Sequence, residues 1–109
     1  MKIVLDEHDS SIIKQNETYT LIDNTHLNNL VVSKTILHEG KSTNGHFHEG
    51  KEEVYQFVSG NGRIEVGEEM YFVSKQDIVL IPDGAYHRVW NTGIEDLIFV
   101  CIFEGNRNH

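Results

Sequence analysis

The chain has 109 residues, 39% of them hydrophobic and 24% charged, with a formal net charge of -8 at pH 7. That size supports one hydrophobic core and is too short for two, and the composition is that of an ordinary soluble globular protein rather than a disordered one. The nine Lys and Arg residues are scattered along the chain, which argues against nucleic acid as a partner.

A single domain over residues 1–109 is expected. No stretch approaches the roughly 18 apolar residues of a membrane helix, and the start of the chain turns acidic at Asp6, too early for a secretory apolar segment. The expected compartment is the cytoplasm, with no membrane partner. Cys101 is the one cysteine, so neither an internal disulfide nor a cysteine-rich zinc site is available.

Short strands are expected in chain order at Ile3 to Leu5, Tyr19 to Ile22, Leu30 to Val32, Val54 to Val58, Met70 to Val73, Ile78 to Ile81 and Leu97 to Phe103. Turn signals separate them at Asn28-Asn29, Gly40 to Gly45, Glu49-Gly50, Gly60-Asn61-Gly62, Pro82-Asp83-Gly84 and Asn91-Thr92-Gly93. No segment carries a sustained helical period, so the pattern predicts an all-β sandwich, jelly roll or closed barrel. The run from Leu97 to Phe103 is apolar at every position, so both of its faces need cover, from a second layer or a partner chain. A homodimer is expected on that ground and from open sheet edges. Residues 1–30 carry no assigned chemistry.

His46 and His48 flank Phe47. Two residues apart on a strand means one face, with Cα atoms roughly 7 Å apart. Glu53 opens the next strand after a reversal at Glu49-Gly50-Lys51, and His87 arrives from far along the chain, after the Pro82-Asp83-Gly84 turn. Three imidazoles and one carboxylate suit Fe, Mn, Ni, Co or Zn as a divalent transition metal and suit Ca²⁺ or Mg²⁺ poorly. The competing reading of His46, His48 and Glu53 is a solvated hairpin end with a surface ion pair, since a bare His-x-His recurs by chance. Glu52 is the alternative carboxylate; strand parity would place Glu53, Tyr55 and Phe57 inward and Glu52 outward.

The spacing Gly40-x5-His46-x-His48-x4-Glu53-x6-Gly60 resembles the first motif of the cupin superfamily, over 40–60. Pro82-x-Gly84-x2-His87-x3-Asn91 is similar to the second, within 76–91. One departure stands out: the family usually has glycine six positions before the proline, and here that residue is Gln76. The resemblance implies an all-β, double-stranded β-helix (jelly-roll) cupin barrel, with His46, His48, Glu53 and His87 as metal ligands at its mouth. It also favours Glu53 over Glu52.

Four protein ligands on an octahedral metal leave two positions for substrate, and a net +1 at the metal and its carboxylate favours an anionic or hydroxy-carbonyl small molecule. Three functions follow from the resemblance: an isomerase or lyase enolising a sugar or keto acid, an Fe- or Ni-dependent dioxygenase, and a non-catalytic metabolite binder. The first is preferred, because Pro82-Asp83-Gly84-Ala85-Tyr86-His87-Arg88 resembles the corresponding stretch of mannose-phosphate-isomerase-type barrels. Tyr55 is the candidate catalytic acid-base group, one step along the inner face from Glu53. His8, His26 and His109 are expected at the surface, and His38 in a structural hydrogen bond. Arg88 and Trp90 are expected on the outer face, as a surface or interface charge and as packing. Cys101 is expected to be a buried small hydrophobe.

Overall fold

The computed structural model describes Lys2, Leu5 and residues 11–24, 27–46 and 49–105. Among them the regular structure is β-strand alone: β1 (Ser11–Gln15), β2 (Tyr19–Asp23), β3 (Leu30–Leu37), β4 (Glu53–Ser59), β5 (Asn61–Val66), β6 (Glu69–Ser74), β7 (Ile78–Ile81), β8 (His87–Asn91) and β9 (Leu97–Glu104). The expected strand at Ile3 to Leu5 is not among the described residues as a segment. No helix of the described residues is long and apolar enough to cross a membrane.

The strands form two antiparallel sheets, ordered β1-β2-β3-β9-β4-β7 and β6-β5-β8. The segment 41–46 continues the smaller sheet beyond β8 through two isolated bridges, Ser42 to Trp90 and His46 to His87. The spacing between these bridges shifts by one residue. There the Thr43 Oγ1 accepts a hydrogen bond from the Val89 amide at 3.0 Å, in place of a backbone carbonyl. A hydroxyl that substitutes for ladder hydrogen bonding keeps this segment from being a regular strand.

Period-two burial explains why the sheets face each other. Val31, Ser33, Thr35 and Leu37 of β3 point inward, as do Glu53, Tyr55 and Phe57 of β4 and Leu97, Phe99, Cys101 and Phe103 of β9. Phe57, Phe99, Leu37, Leu97, Ile64 and Val89 are each almost fully buried between the sheets. At roughly 1.5–3 kcal/mol per fully buried large apolar side chain, this cluster is the main source of stability. The inner positions become polar toward one end, where Ser33, Thr35, Glu53 and His87 are also buried. That end is where a site can form.

β9 lies at the centre of the larger sheet, between β3 and β4. Its inner face is covered by the second sheet. Its outer residues Ile98, Val100 and Ile102 are only half-buried, so among the described residues the expected second layer covers one face of this strand and not both.

Two turns clarify the motif spacing. Gly60 has φ +91°, and a side chain there would run into the Asp96 carbonyl, so the position demands glycine both for conformation and for space. Gln76, where the resemblance leads one to expect glycine, has φ +79°. The turn geometry is therefore kept without glycine. It is held by the Gln76 amide donating to the Phe57 carbonyl at 2.9 Å, and by the Ser74 amide donating to Asp77 Oδ2 at 2.8 Å. A left-handed non-glycine residue carries steric strain. Gln76→Gly is expected to stabilise the fold by about 0.5–1 kcal/mol, the size typical of relieving such strain against added chain entropy. Chemical denaturation checks this, and a lower midpoint for the variant would refute the strain.

Candidate functional site

His46 and His87 are joined first by backbone. The His46 amide donates to the His87 carbonyl at 3.1 Å, and the His87 amide donates back to the His46 carbonyl at 2.9 Å. This narrow pair brings the rings together edge to face, with centroids 4.1 Å apart. Each ring is then oriented by a backbone carbonyl two residues earlier: His46 Nδ1 lies 3.0 Å from the Asn44 oxygen and His87 Nδ1 lies 3.1 Å from the Ala85 oxygen. A carbonyl only accepts, so in both neutral rings Nδ1 carries the proton and Nε2 carries the lone pair. This is the tautomer that ligating histidines use, with the second nitrogen held by an outer partner.

Glu53 is the first residue of β4 and is only 5% exposed. It lines a cavity of about 250 Å³ at the polar end of the barrel, together with His46, Tyr55, Cys101 and Phe103. Glu52 is exposed and points to the other side of the sheet, into a groove of about 640 Å³ shared with Lys51, Val54 and Ile102. That outer groove is larger but contains no imidazole of the described residues. His48 lies outside the described residues, as do His8, His26 and His109.

Tyr55 is buried on the same face as Glu53. Its ring stacks on Phe99 at 5.2 Å and 20°, and meets His87 edge-on at 5.7 Å. The loops of the two motifs are tied to each other by the Gly50 amide, which donates to Asp83 Oδ1 at 2.7 Å. Asn91, the last position of the second motif, is a latch. Its Nδ2 donates to the Leu37 and Glu95 carbonyls, and its Oδ1 accepts from the Gly93 amide.

The donor set fits a divalent transition metal in kind: two imidazoles in the ligating tautomer, of which that of His46 lines the same cavity as the buried Glu53 carboxylate. Among the described residues, however, no group of three His, Cys, Asp or Glu side chains is assembled closely enough to hold an ion.

Several sequence expectations change here. Arg88, expected as a surface or interface charge, is half-buried on the outer face and hydrogen-bonded. Its Nε donates to the Thr43 carbonyl at 2.9 Å and an Nη to Ser42 Oγ at 2.9 Å, clipping the 41–46 segment to β8, while its guanidinium lies 4.9 Å from the Trp90 ring. Cys101 is buried, as expected, but it also lines the cavity. Residues 1–30, given no chemistry, supply Tyr19 and Leu21 to the cavity wall, and β3 adds Ser33 and Thr35. None of these four carried a signal in the sequence beyond strand-like parity. His38 makes the structural contact expected of it, with Nδ1 at 3.2 Å from Asp96 Oδ1.

A family model described as Cupin domain matches residues 33–103. An uncharacterized protein of Methanocaldococcus jannaschii is 32% identical over 71 residues, which cover 65% of this chain and 50% of that protein. The chain thus spans about half the length of this curated relative. Among solved structures, KdgF from a Halomonas species superposes with a TM-score of 0.83 at 17% identity, over 99% of this chain and 97% of that one. Oxalate decarboxylase superposes with a TM-score of 0.81 at 19% identity, over 91% of this chain and 29% of that one. At such identities the structural likeness establishes the jelly-roll fold and leaves the chemistry to the site itself.

Proposed function

The chain belongs to the cupin family, and from that premise we propose that it is a metal-dependent enzyme performing isomerase or lyase chemistry on a small sugar, keto acid or hydroxy acid. His46, His48, Glu53 and His87 would hold one divalent transition metal. The observation that carries the reading is the His46–His87 pair, whose Nδ1 atoms both face backbone carbonyls beside a cavity that buries Glu53. Surface histidines seldom have both rings fixed in one tautomer in this way, whereas metal ligands regularly do.

When bound, the metal supplies a Lewis acid that stabilises negative charge developing on a carbonyl or hydroxyl oxygen. The chain's own residues supply the rest. Glu53 contributes a negative charge that lowers the site's net charge to about +1, leaving it attractive to one carboxylate or enolate. Phe99, Phe103 and Leu21 keep bulk water from the reacting carbon, which strengthens each polar contact inside. Tyr55 holds or releases a proton at its phenolic oxygen.

Metal-reconstituted protein in deuterated water, offered a panel of aldoses and 2-keto acids, should exchange the hydrogen next to the carbonyl without consuming oxygen. Oxygen uptake confined to the iron or nickel form would move the protein to the dioxygenases. Ligand-dependent stabilisation with neither exchange nor uptake would make it a binder.

The functional form is proposed to be a homodimer. Ile98, Val100 and Ile102 form the half-buried outer stripe of β9, and beyond β4 the edge strand β7 leaves Ile78 and Leu80 exposed at 65% and 55%. A contiguous apolar surface of this kind favours burial against a second copy. Sedimentation at micromolar concentration should give twice the 12.5 kDa chain mass; a single species at the chain mass would reject the dimer.

A further inference from the structure

The cavity has two unlike walls. One carries His46, Glu53 and Tyr55; the other is built by β2 and β3 and carries Ser33 and Thr35. Both hydroxyl residues lie on the inner face of β3, between the apolar inner residues Val31 and Leu37, and are 1% and 7% exposed. An apolar core does not need them there. Both instead line the cavity, where their hydroxyls are available to water or a ligand.

Register places these hydroxyls relative to the donor end. Ser33 pairs with Cys101 and Cys101 with Tyr55, so the row Ser33, Cys101, Tyr55 crosses two strand spacings, about 10 Å between its outer backbones. Thr35 lies beside Phe99, one row further from Glu53. A molecule held at one end by the donor set therefore extends its other end toward Ser33 and Thr35. The volume of about 250 Å³ suits a small molecule of monosaccharide size.

Resting on the metal-centre reading above for its anchor, we infer that Ser33 and Thr35 are specificity residues for substrate hydroxyls. The substrate class they select is a polyhydroxylated carboxylate no larger than a monosaccharide acid. Its carboxylate or keto-carboxylate end would meet the donor set, and its distal hydroxyls would exchange hydrogen bonds with the two side chains. A chain of the same length without hydroxyls would strand both groups against carbon, the situation in which polar sites discriminate most strongly.

The test uses gluconate and hexanoate, two six-carbon monocarboxylates that differ in their hydroxyls, titrated calorimetrically into metal-loaded protein. Gluconate should bind at least about tenfold more tightly than hexanoate. Ser33→Ala and Thr35→Val, singly and together, should erase most of that preference while hexanoate affinity, metal content and melting temperature stay the same. Equal affinity for the two acids in the wild type, no heat from either at millimolar concentration, or a preference that survives in the double variant overturns the inference. Metal content is measured on the same samples. Protein without metal that still prefers gluconate overturns the metal reading alone, and loaded protein without the preference overturns this one alone.

Discussion

Replacing His87 with alanine is expected to abolish metal binding at the proposed site. Untagged wild-type protein, dialysed and measured by elemental analysis, should carry close to one transition-metal equivalent per chain, and the variant only a trace. The size of the effect follows from what the imidazole does. His87 is 1% exposed, packed edge-on against both His46 and Tyr55, with Nδ1 held by the Ala85 oxygen. Loss of an outer partner that merely orients a ligating histidine costs about 10–100-fold in affinity, so loss of the ligand itself should exceed that range. Burial makes His87→Ala a risk to the fold as well, since it leaves a void beside Tyr55. His46→Ala avoids this risk, because His46 is exposed and its backbone pairing with His87 does not depend on its side chain. Metal should fall in both single variants, with the melting temperature preserved in His46→Ala. Full occupancy in the double variant would sink the assignment.

What could be read from the sequence depended on whether a residue's role was local. The alternation in β4 and the spacing of Glu53 to Gly60 were visible because side-chain parity and turn demands belong to a few neighbouring residues. Glu53 inside and Glu52 outside is a parity statement, and the described burial agrees with it. β5 was hidden for the opposite reason. Its first residues, Asn61-Gly62, look like a turn, but Gly62 is small because Leu97 presses against it from the other sheet and the Trp90 carbonyl from the neighbouring strand β8. The 41–46 segment, marked by turn signals in the sequence, bridges to β8 without becoming a regular strand, with Thr43 accepting from the Val89 amide through its hydroxyl. Gln76 was legible as a departure but not in its outcome, since only the backbone shows that the left-handed turn persists.

The site divides in the same way. Motif residues could be named from spacing, whereas the wall opposite them could not. Ser33 and Thr35 are ordinary strand residues until the pairing of β3 with β9 sets them level with Cys101 and Phe99. Arg88 shows the limit of parity: it is on the outer face, as alternation requires, yet its guanidinium is occupied by Ser42 and Thr43. Parity assigns a face; it does not assign partners.

Tyr55→Phe is expected to lower turnover by about a hundredfold or more while leaving metal content and stability unchanged. The substitution is selective because the ring makes the packing contacts: the stack on Phe99 at 5.2 Å and the edge contact with His87 at 5.7 Å involve carbon, and phenylalanine preserves both. Only the phenolic oxygen is lost. Tyr55 shares the inner face of β4 with Glu53 and lines the same cavity, so its hydroxyl is the proton-bearing group set nearest along that strand to the proposed donor set. A positioned acid-base group commonly contributes 10²–10⁴-fold, which sets the lower end of the expected loss at about a hundredfold. A fall in kcat with KM little changed would mark a group that acts in the transition state, whereas a rise in KM alone would mark a binding contact. Turnover that stays at the wild-type level in Tyr55→Phe would reduce Tyr55 to a packing residue. Proton transfer would then have to come from another group lining the cavity, with Cys101, its register partner on β9, the next to be replaced.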